Sequence, residues 1–213
     1  MSQSSTFRAF LSEQLPPPPA RVLEVGCGQG ELTTALAVAG YELLGIDPRA
    51  PAGDLFRRVR LEDLEDDDGP FDVVVAVHSL HHIRDLGHAL DRIVGLLSPV
   101  GELVLDEFGW DRLDAGTLAW LYEQRRARGD APGSLEELRT QWDEEHLGLH
   151  EFAALRREID ARFEELAFEW TPFLHRKLGG PATEVLEREL VAAGEIQALG
   201  FRYAGRVRPT RSD

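Results

Sequence analysis

The sequence predicts an α/β fold, a sheet of largely parallel strands covered by helices on both faces. Three observations predict it. Short apolar runs alternate with helix-patterned segments from residue 21 to 108, as crossover-linked parallel strands require. The first run ends in a glycine-rich turn that opens a helix. Finally, 213 residues with 43% hydrophobic and 29% charged side chains suffice for one domain with its own core. The single cysteine, Cys27, allows no internal disulfide and no multi-cysteine zinc site, so packing must supply the stability.

Taken in order, residues 2–15 carry Phe7, Phe10, Leu11 and Leu15 at helical spacing, and Pro16 to Pro19 stop that helix. Residues 21–25 are a first strand, 31–39 a helix, and 41–46 a second strand closed by Asp47-Pro48. A dozen residues then lead to a third strand at about 58–61, too few for a full crossover helix, so a short turn is expected at 54–57. Residues 71–77 are the most strand-like stretch, with Val73, Val74, Val75 and Val77. A helix at 86–97 presents Leu86, Leu90, Ile93 and Leu97, and a turn at Ser98-Pro99 and Gly101 leads into a fifth strand at 102–108. The regularity stops at Gly109. From 109 to 161 the chain is helix-forming and charged, broken at 129–133 and near Gly148, and these 53 residues form a candidate substrate cap. A strand at 163–170, a helix at 181–198 and a last strand at 201–207 complete the chain. One domain therefore reads as an N-terminal helix and proline link (1–20), a first half (21–108), the helical insertion (109–161) and a C-terminal part (162–213).

Charge narrows the partners. The formal net charge is −15, so phosphate-rich nucleic acid meets repulsion. No apolar run reaches the length of a membrane span, and the first ten residues do not read as a signal peptide. A cytoplasmic protein acting on a small molecule, as a monomer or homodimer, is the expectation.

The strongest motif is Val22-Leu23-Glu24-Val25-Gly26-Cys27-Gly28-Gln29-Gly30-Glu31. Glycines at a strand-to-helix turn let a ligand approach the backbone, and the following helix aims its free N–H groups at the same crevice. Asp47 follows Gly26 by 21 residues at the end of the second strand, where a carboxylate can accept both hydroxyls of a ribose. Two cofactor classes compete for such a turn. The dinucleotide fingerprint requires a small residue where Glu31 stands, and here the third glycine, Gly30, falls one place early. The form seen, E-x-G-x-G-x-G, resembles the first motif of the class I S-adenosylmethionine-dependent methyltransferases. The resemblance continues through Phe71-Asp72-Val73-Val74-Val75, then Ser79-Leu80-His81-His82-Ile83, then Leu96-Leu97-Ser98-Pro99-Val100-Gly101-Glu102-Leu103-Val104-Leu105. It is similar to the small bacterial branch that acts on small molecules.

That resemblance implies a Rossmann-like three-layer sandwich with a seven-stranded sheet, its last strand antiparallel. It implies S-adenosylmethionine as cofactor, with Glu24, Gly26, Cys27 and Gly28 at the methionyl end, Gly30 also among the cofactor-binding residues, Asp47 on the ribose and Pro48 beside the adenine. The backbone at His78 passes near the sulfonium. Arg60-Leu61 stands where the family has an acid followed by a small residue, so Leu61 and Glu62 fall to the adenine edge. The reaction implied is methyl transfer to an O, N or C nucleophile. A nicotinamide-dependent oxidoreductase and a non-catalytic binder of S-adenosylmethionine are the alternatives; Lys177 has Phe173 rather than tyrosine four residues before it.

If the acceptor needs deprotonation, the candidate bases are His81 or His82, then His78, then Glu107. Each has a plainer reading: the histidines as rim or core residues, Glu107 as a surface acid. His78, His81, His82 and His88 lie close in sequence, but no acid stands at a recognisable ligand spacing, so no metal is expected. Cys27, without an adjacent activating group, reads as a small space-filler. The six acids among the seven residues 62–68 read as a solvated loop, and His146 and His150 as neighbours on one helical face.

Overall fold

The computed structural model describes residues 3–209; Ser2, placed in the first helix by its sequence, lies outside them. Seven strands form one sheet: β1 (Arg21–Val25), β2 (Glu42–Ile46), β3 (Phe56–Arg57), β4 (Phe71–Val77), β5 (Leu97–Phe108), β6 (Phe163–Thr171) and β7 (Gly200–Val207). Their order is β3-β2-β1-β4-β5-β7-β6. The pairs β1–β2, β1–β4, β2–β3 and β4–β5 are parallel. β7 runs against β5: Gly109 N–H bonds the Leu199 carbonyl at one end and the Arg206 guanidinium reaches Glu102 at the other, both at 2.8 Å. The register decides where the site falls. Val25 pairs with Ile46 and Ala76, and Ala76 with Leu105, so the carboxyl ends of β1, β2, β4 and β5 finish along one edge.

Contact density divides the chain into two compact units. The first holds Met1–Glu107, Ala153–Phe168 and Arg202–Asp213. In it α1 (Gln3–Gln14) lays Phe7, Phe10 and Leu11 on Val22, Val73, Val75, Val104 and Ala204. Burying each large apolar side chain contributes about 1.5–3 kcal/mol, so this patch fixes the helix that low intrinsic amphipathicity alone would not. α3 (Leu86–Leu96) buries Leu90 and Ile93 fully and starts on Asp85, whose carboxylate accepts the His88 N–H. α6 (Phe152–Arg162) buries Leu155 and Ile159, and its Arg162 grips Asp91 and Glu158. α2 (Glu31–Val38) follows the glycine turn.

The second unit holds Phe108–Phe152 and Glu169–Phe201. Its helices are α4 (Ala115–Arg128), α5 (Leu135–Glu145), α7 (His175–Leu178) and α8 (Pro181–Ala192). Asp114 and Ser134 cap α4 and α5 by accepting N–H groups of the first turn, and Gly129 ends α4 in the left-handed conformation. Leu118, Leu121, Leu138, Trp142, Phe173 and Leu178 share one core, in which Phe108 and Phe173 stack at 4.0 Å. The insertion read as 109–161 thus divides, with Ala153–Phe168 belonging to the first unit.

Three expectations change. The third strand is Phe56–Arg57, not 58–61: β2 ends at Ile46, and Asp47 N–H already takes the Arg57 carbonyl. Arg60 then precedes a 3-10 turn at Leu61–Asp63. The expected turn before β5 is drawn into the strand, which begins at Leu97 and absorbs the extra residues as a register shift between Phe71 and Val73. The helix expected to reach 198 stops at Ala192, because Gly194 turns left-handed.

Candidate functional site

The glycine turn closes β1. Gly26 and Cys27 donate their N–H groups to the Ile46 carbonyl at 2.8 and 3.0 Å, tying the turn to the end of β2. Gly26 has φ 75°, and a Cβ there would lie 2.5 Å from that of Ser79, so only glycine fits. Gly28 has φ 53° for a different reason: no atom stands within 4 Å of where its Cβ would be. The space beside its backbone is open, as a ligand-binding turn requires. Asp47 lies across it. One carboxylate oxygen accepts Arg49 N–H at 2.7 Å, the other Gly28 N–H at 3.3 Å. The acid is half-buried, so it both braces the turn and keeps acceptor capacity toward the opening. Pro48 beside it is exposed.

Glu24 precedes the turn and is buried, 4% exposed, with the Thr33 hydroxyl donating to it. Burial pushes its carboxyl up to about 6, against the lowering effect of Thr33. Thr33 was not singled out by sequence; its signal is its place in the first turn of α2, facing back to β1. Cys27 is buried, and burial with the charges of Glu24 and Asp47 drives its thiol up to about 12, the opposite of an activated nucleophile. Leu61 is buried and Glu62 exposed on their 3-10 turn. Gly30 caps α2 at φ 77°.

The second half of the site follows β4. His78 sits at φ 47°, a conformation a non-glycine residue rarely holds. Its N–H reaches the Asp106 carbonyl at 2.8 Å, and its Nε2 lies 3.9 Å from the Asp106 carboxylate. Ser79 Oγ donates to the Val25 carbonyl at 2.9 Å, joining this turn to the glycine turn. Residues 80–82 then form a 3-10 turn.

Glu107 organises that turn. It is fully buried, neither the substrate-facing carboxylate nor the surface acid that the sequence leaves open. Its Oε1 accepts Ser79 N–H at 2.8 Å and Leu80 N–H at 2.7 Å, and its Oε2 lies 2.5 Å from His81 Nδ1. Burial pushes the Glu107 carboxyl up, but the His81 hydrogen bond, the charges of His81 and His78 and the Leu80 N–H outweigh it, holding it below the usual carboxylate range. His81 is buried, and the ring of the exposed His82 lies 4.1 Å from it. Burial first, then His81, lowers the His82 pKa.

The structure therefore brings Glu24, Gly26, Gly28 and Asp47 together at one turn, and His78, His81, His82 and Glu107 at the next. His88 lies apart, exposed on the first turn of α3. Among the described residues, no three His, Cys, Asp or Glu side chains are placed to hold a metal ion, and no helix is long and apolar enough to cross a membrane. His146 and His150 do not share a helical face: α5 ends at Glu145, and His146 is buried against Trp142, with its Nδ1 at 2.7 Å from the Trp142 carbonyl.

A family model described as a methyltransferase domain matches residues 3–150. The chain is 32% identical over 98 residues to the ubiquinone biosynthesis O-methyltransferase of Rhodopseudomonas palustris, covering 40% of this chain and 38% of the relative. It is 32% identical over 104 residues to the 27-O-demethylrifamycin SV methyltransferase of Amycolatopsis mediterranei, covering 41% and 38%. The matched stretch spans about two fifths of the length of these curated relatives. Among solved structures, an S-adenosylmethionine dependent methyltransferase from Mesorhizobium loti superposes with a TM-score of 0.59 at 17% identity, over 97% of this chain and 98% of that one. The 1,6-didemethyltoxoflavin-N1-methyltransferase of Burkholderia thailandensis, solved with 1,6-didemethyltoxoflavin and S-adenosylhomocysteine, gives 0.55 at 17% identity, over 97% and 76%. These structures share the fold.

Proposed function

The chain belongs to the methyltransferase domain family, and from that premise we propose that it transfers the methyl group of S-adenosylmethionine to an O, N or C nucleophile of a small molecule. The observation that carries the reading is the open glycine turn, with the Cβ side of Gly28 unfilled and the carboxylates of Asp47 and Glu24 on either side of it in sequence. That set fits the cofactor's chemistry. A ribose offers two hydroxyl donors to Asp47, and a methionyl ammonium suits the buried Glu24. The cofactor supplies an activated methyl group with a neutral thioether as leaving group. This chain's residues do the rest: Gly26 and Gly28 admit the ligand to the backbone, Asp47 orients the sugar, and the 79–82 turn sets the rim from which an acceptor is aligned. Relatives named as a ubiquinone biosynthesis O-methyltransferase and a 27-O-demethylrifamycin SV methyltransferase support a small-molecule acceptor. We further place the protein in the cytoplasm, as a monomer or homodimer, without nucleic-acid partners.

Isothermal titration tests the cofactor assignment. S-adenosylmethionine and S-adenosylhomocysteine are expected to bind, while NAD and NADP give no heat. Release of S-adenosylhomocysteine when a metabolite extract is added then separates an enzyme from a silent binder.

A further inference from the structure

Resting on S-adenosylmethionine as the ligand of the glycine turn, we propose that Ser79 is a positioning residue that couples this turn to the 79–82 rim. Through it, cofactor binding sets where an acceptor meets the methyl group. The starting observation is backbone strain. His78 holds φ 47°, which costs a non-glycine residue about 1–2 kcal/mol and persists only where the surroundings fix it. Two strand ends fix it. At the end of β5, the Asp106 carbonyl accepts His78 N–H at 2.8 Å, and Glu107 Oε1 accepts Ser79 N–H at 2.8 Å and Leu80 N–H at 2.7 Å. At the end of β1, the Val25 carbonyl accepts the Ser79 hydroxyl at 2.9 Å.

Of these four bonds, only the one from the Ser79 hydroxyl reaches the strand that carries the glycine turn. The paired run of β1 and β4 ends at Val25 and Ala76, and Ser79 adds a bond three residues beyond it. Packing makes the second link. A Cβ on Gly26 would lie 2.5 Å from that of Ser79, so the backbone of the turn rests directly on this side chain. On its other side the turn is tied to β2, where the Ile46 carbonyl accepts the N–H groups of Gly26 and Cys27 at 2.8 and 3.0 Å. A glycine turn that shifts around a ligand therefore moves Ser79. Ser79 and Leu80 share one oxygen of the fully buried Glu107, so the shift passes to the rim. In-line transfer makes the link matter, since about 1 Å of misplacement between reacting groups can cost about 10² in rate.

The test uses the full chain, labelled with nitrogen-15 and titrated with S-adenosylhomocysteine. In the wild type, the amide signals of Gly28 and Leu80 are expected to shift along one saturation curve. In Ser79→Ala the Gly28 shift should persist while the Leu80 shift is lost, with affinity about three- to tenfold weaker. Ser79→Thr keeps the hydroxyl and should restore the Leu80 response. A double-mutant cycle reads the packing link: Gly26→Ala should weaken binding less in Ser79→Gly, which lacks the opposing Cβ, than in the wild type. With a metabolite extract as the source of acceptor, Ser79→Ala should lower kcat about 10- to 100-fold, more than it raises KM for S-adenosylmethionine. A Leu80 signal that responds equally in Ser79→Ala overturns the coupling. So do additive effects in the cycle, or wild-type kcat in Ser79→Ala, and each of these leaves the cofactor reading standing. A wild type that binds neither S-adenosylmethionine nor S-adenosylhomocysteine removes that reading and this inference with it.

Discussion

Glu24 is buried at the end of β1 with Thr33 donating to it, and burial pushes its carboxyl up to about 6 from an ordinary 4.5. The folded carboxyl holds its proton more tightly than the unfolded one. Stability from this residue is therefore fully present below about pH 4.5 and is lost as pH rises through 6. Glu24→Gln removes that loss, and the free protein is expected to gain about 2 kcal/mol at pH 7.5, read from thermal or urea unfolding. The same change removes the anion that we propose faces the cofactor's ammonium. S-adenosylmethionine affinity should fall in the variant, and the wild type's weakening of binding below pH 6 should disappear. Asp47 gives the companion prediction. Asp47→Ala deletes the charge-assisted hydrogen bonds that we propose it makes to ribose, each about 1.5–3 kcal/mol, so calorimetry should show at least tenfold weaker binding. An unchanged dissociation constant removes Asp47 from the site.

At the scale of elements, two positions of the one glycine turn respond differently to the same substitution. Gly26→Val places a Cβ against Ser79, 2.5 Å from that side chain's own Cβ, and must displace the turn that Ser79 and Glu107 hold. Gly28→Val meets no neighbour and costs only its left-handed backbone, about 1–2 kcal/mol. Circular dichroism melts should therefore show a marked loss of stability for Gly26→Val and a mild one for Gly28→Val. Titration of the folded Gly28→Val protein should show binding blocked, since the new methyl groups occupy the open space. Retained binding there assigns the turn another role. The strands that set these turns owe their register to apolar pairing. Val22, Leu23, Val73 and Val74 are all essentially inaccessible, and a one-residue slip would turn each toward the wrong face.

For the whole molecule, the division into two compact units makes a prediction about local stability. Trp142 is 4% exposed in the core of the unit formed by Phe108–Phe152 and Glu169–Phe201. Trp142→Ala should cost about 3–5 kcal/mol. Hydrogen exchange should rise across those two segments and spare the strands β1, β2 and β4. Because Glu24, Gly28 and Asp47 belong to the other unit, cofactor affinity should survive below the melting temperature. We propose that this helical unit governs the acceptor, so transfer is expected to suffer where binding does not.

The strand and helix alternation, the open glycine turn and the placement of Asp47 were legible in the sequence because each depends on local chemistry. Valine runs favour extended chain, glycine takes positive φ at least cost, and a strand end fixes where the next residue lies. The boundaries that moved were those set by neighbours. β3 shrank to Phe56–Arg57 because the end of β2 limited its pairing, and β5 lengthened to Leu97 by bulging against β4. The roles of Glu107, Thr33 and Ser79 were not legible, since their partners lie 26–28, 9 and 54 residues away in the chain. Sequence placed a carboxylate at the end of a strand; only the packed sheet decided that it faces inward to a turn and an imidazole. The physical reason is that burial and hydrogen-bond satisfaction are properties of the surroundings, and those are assembled by long-range contacts that no local pattern encodes.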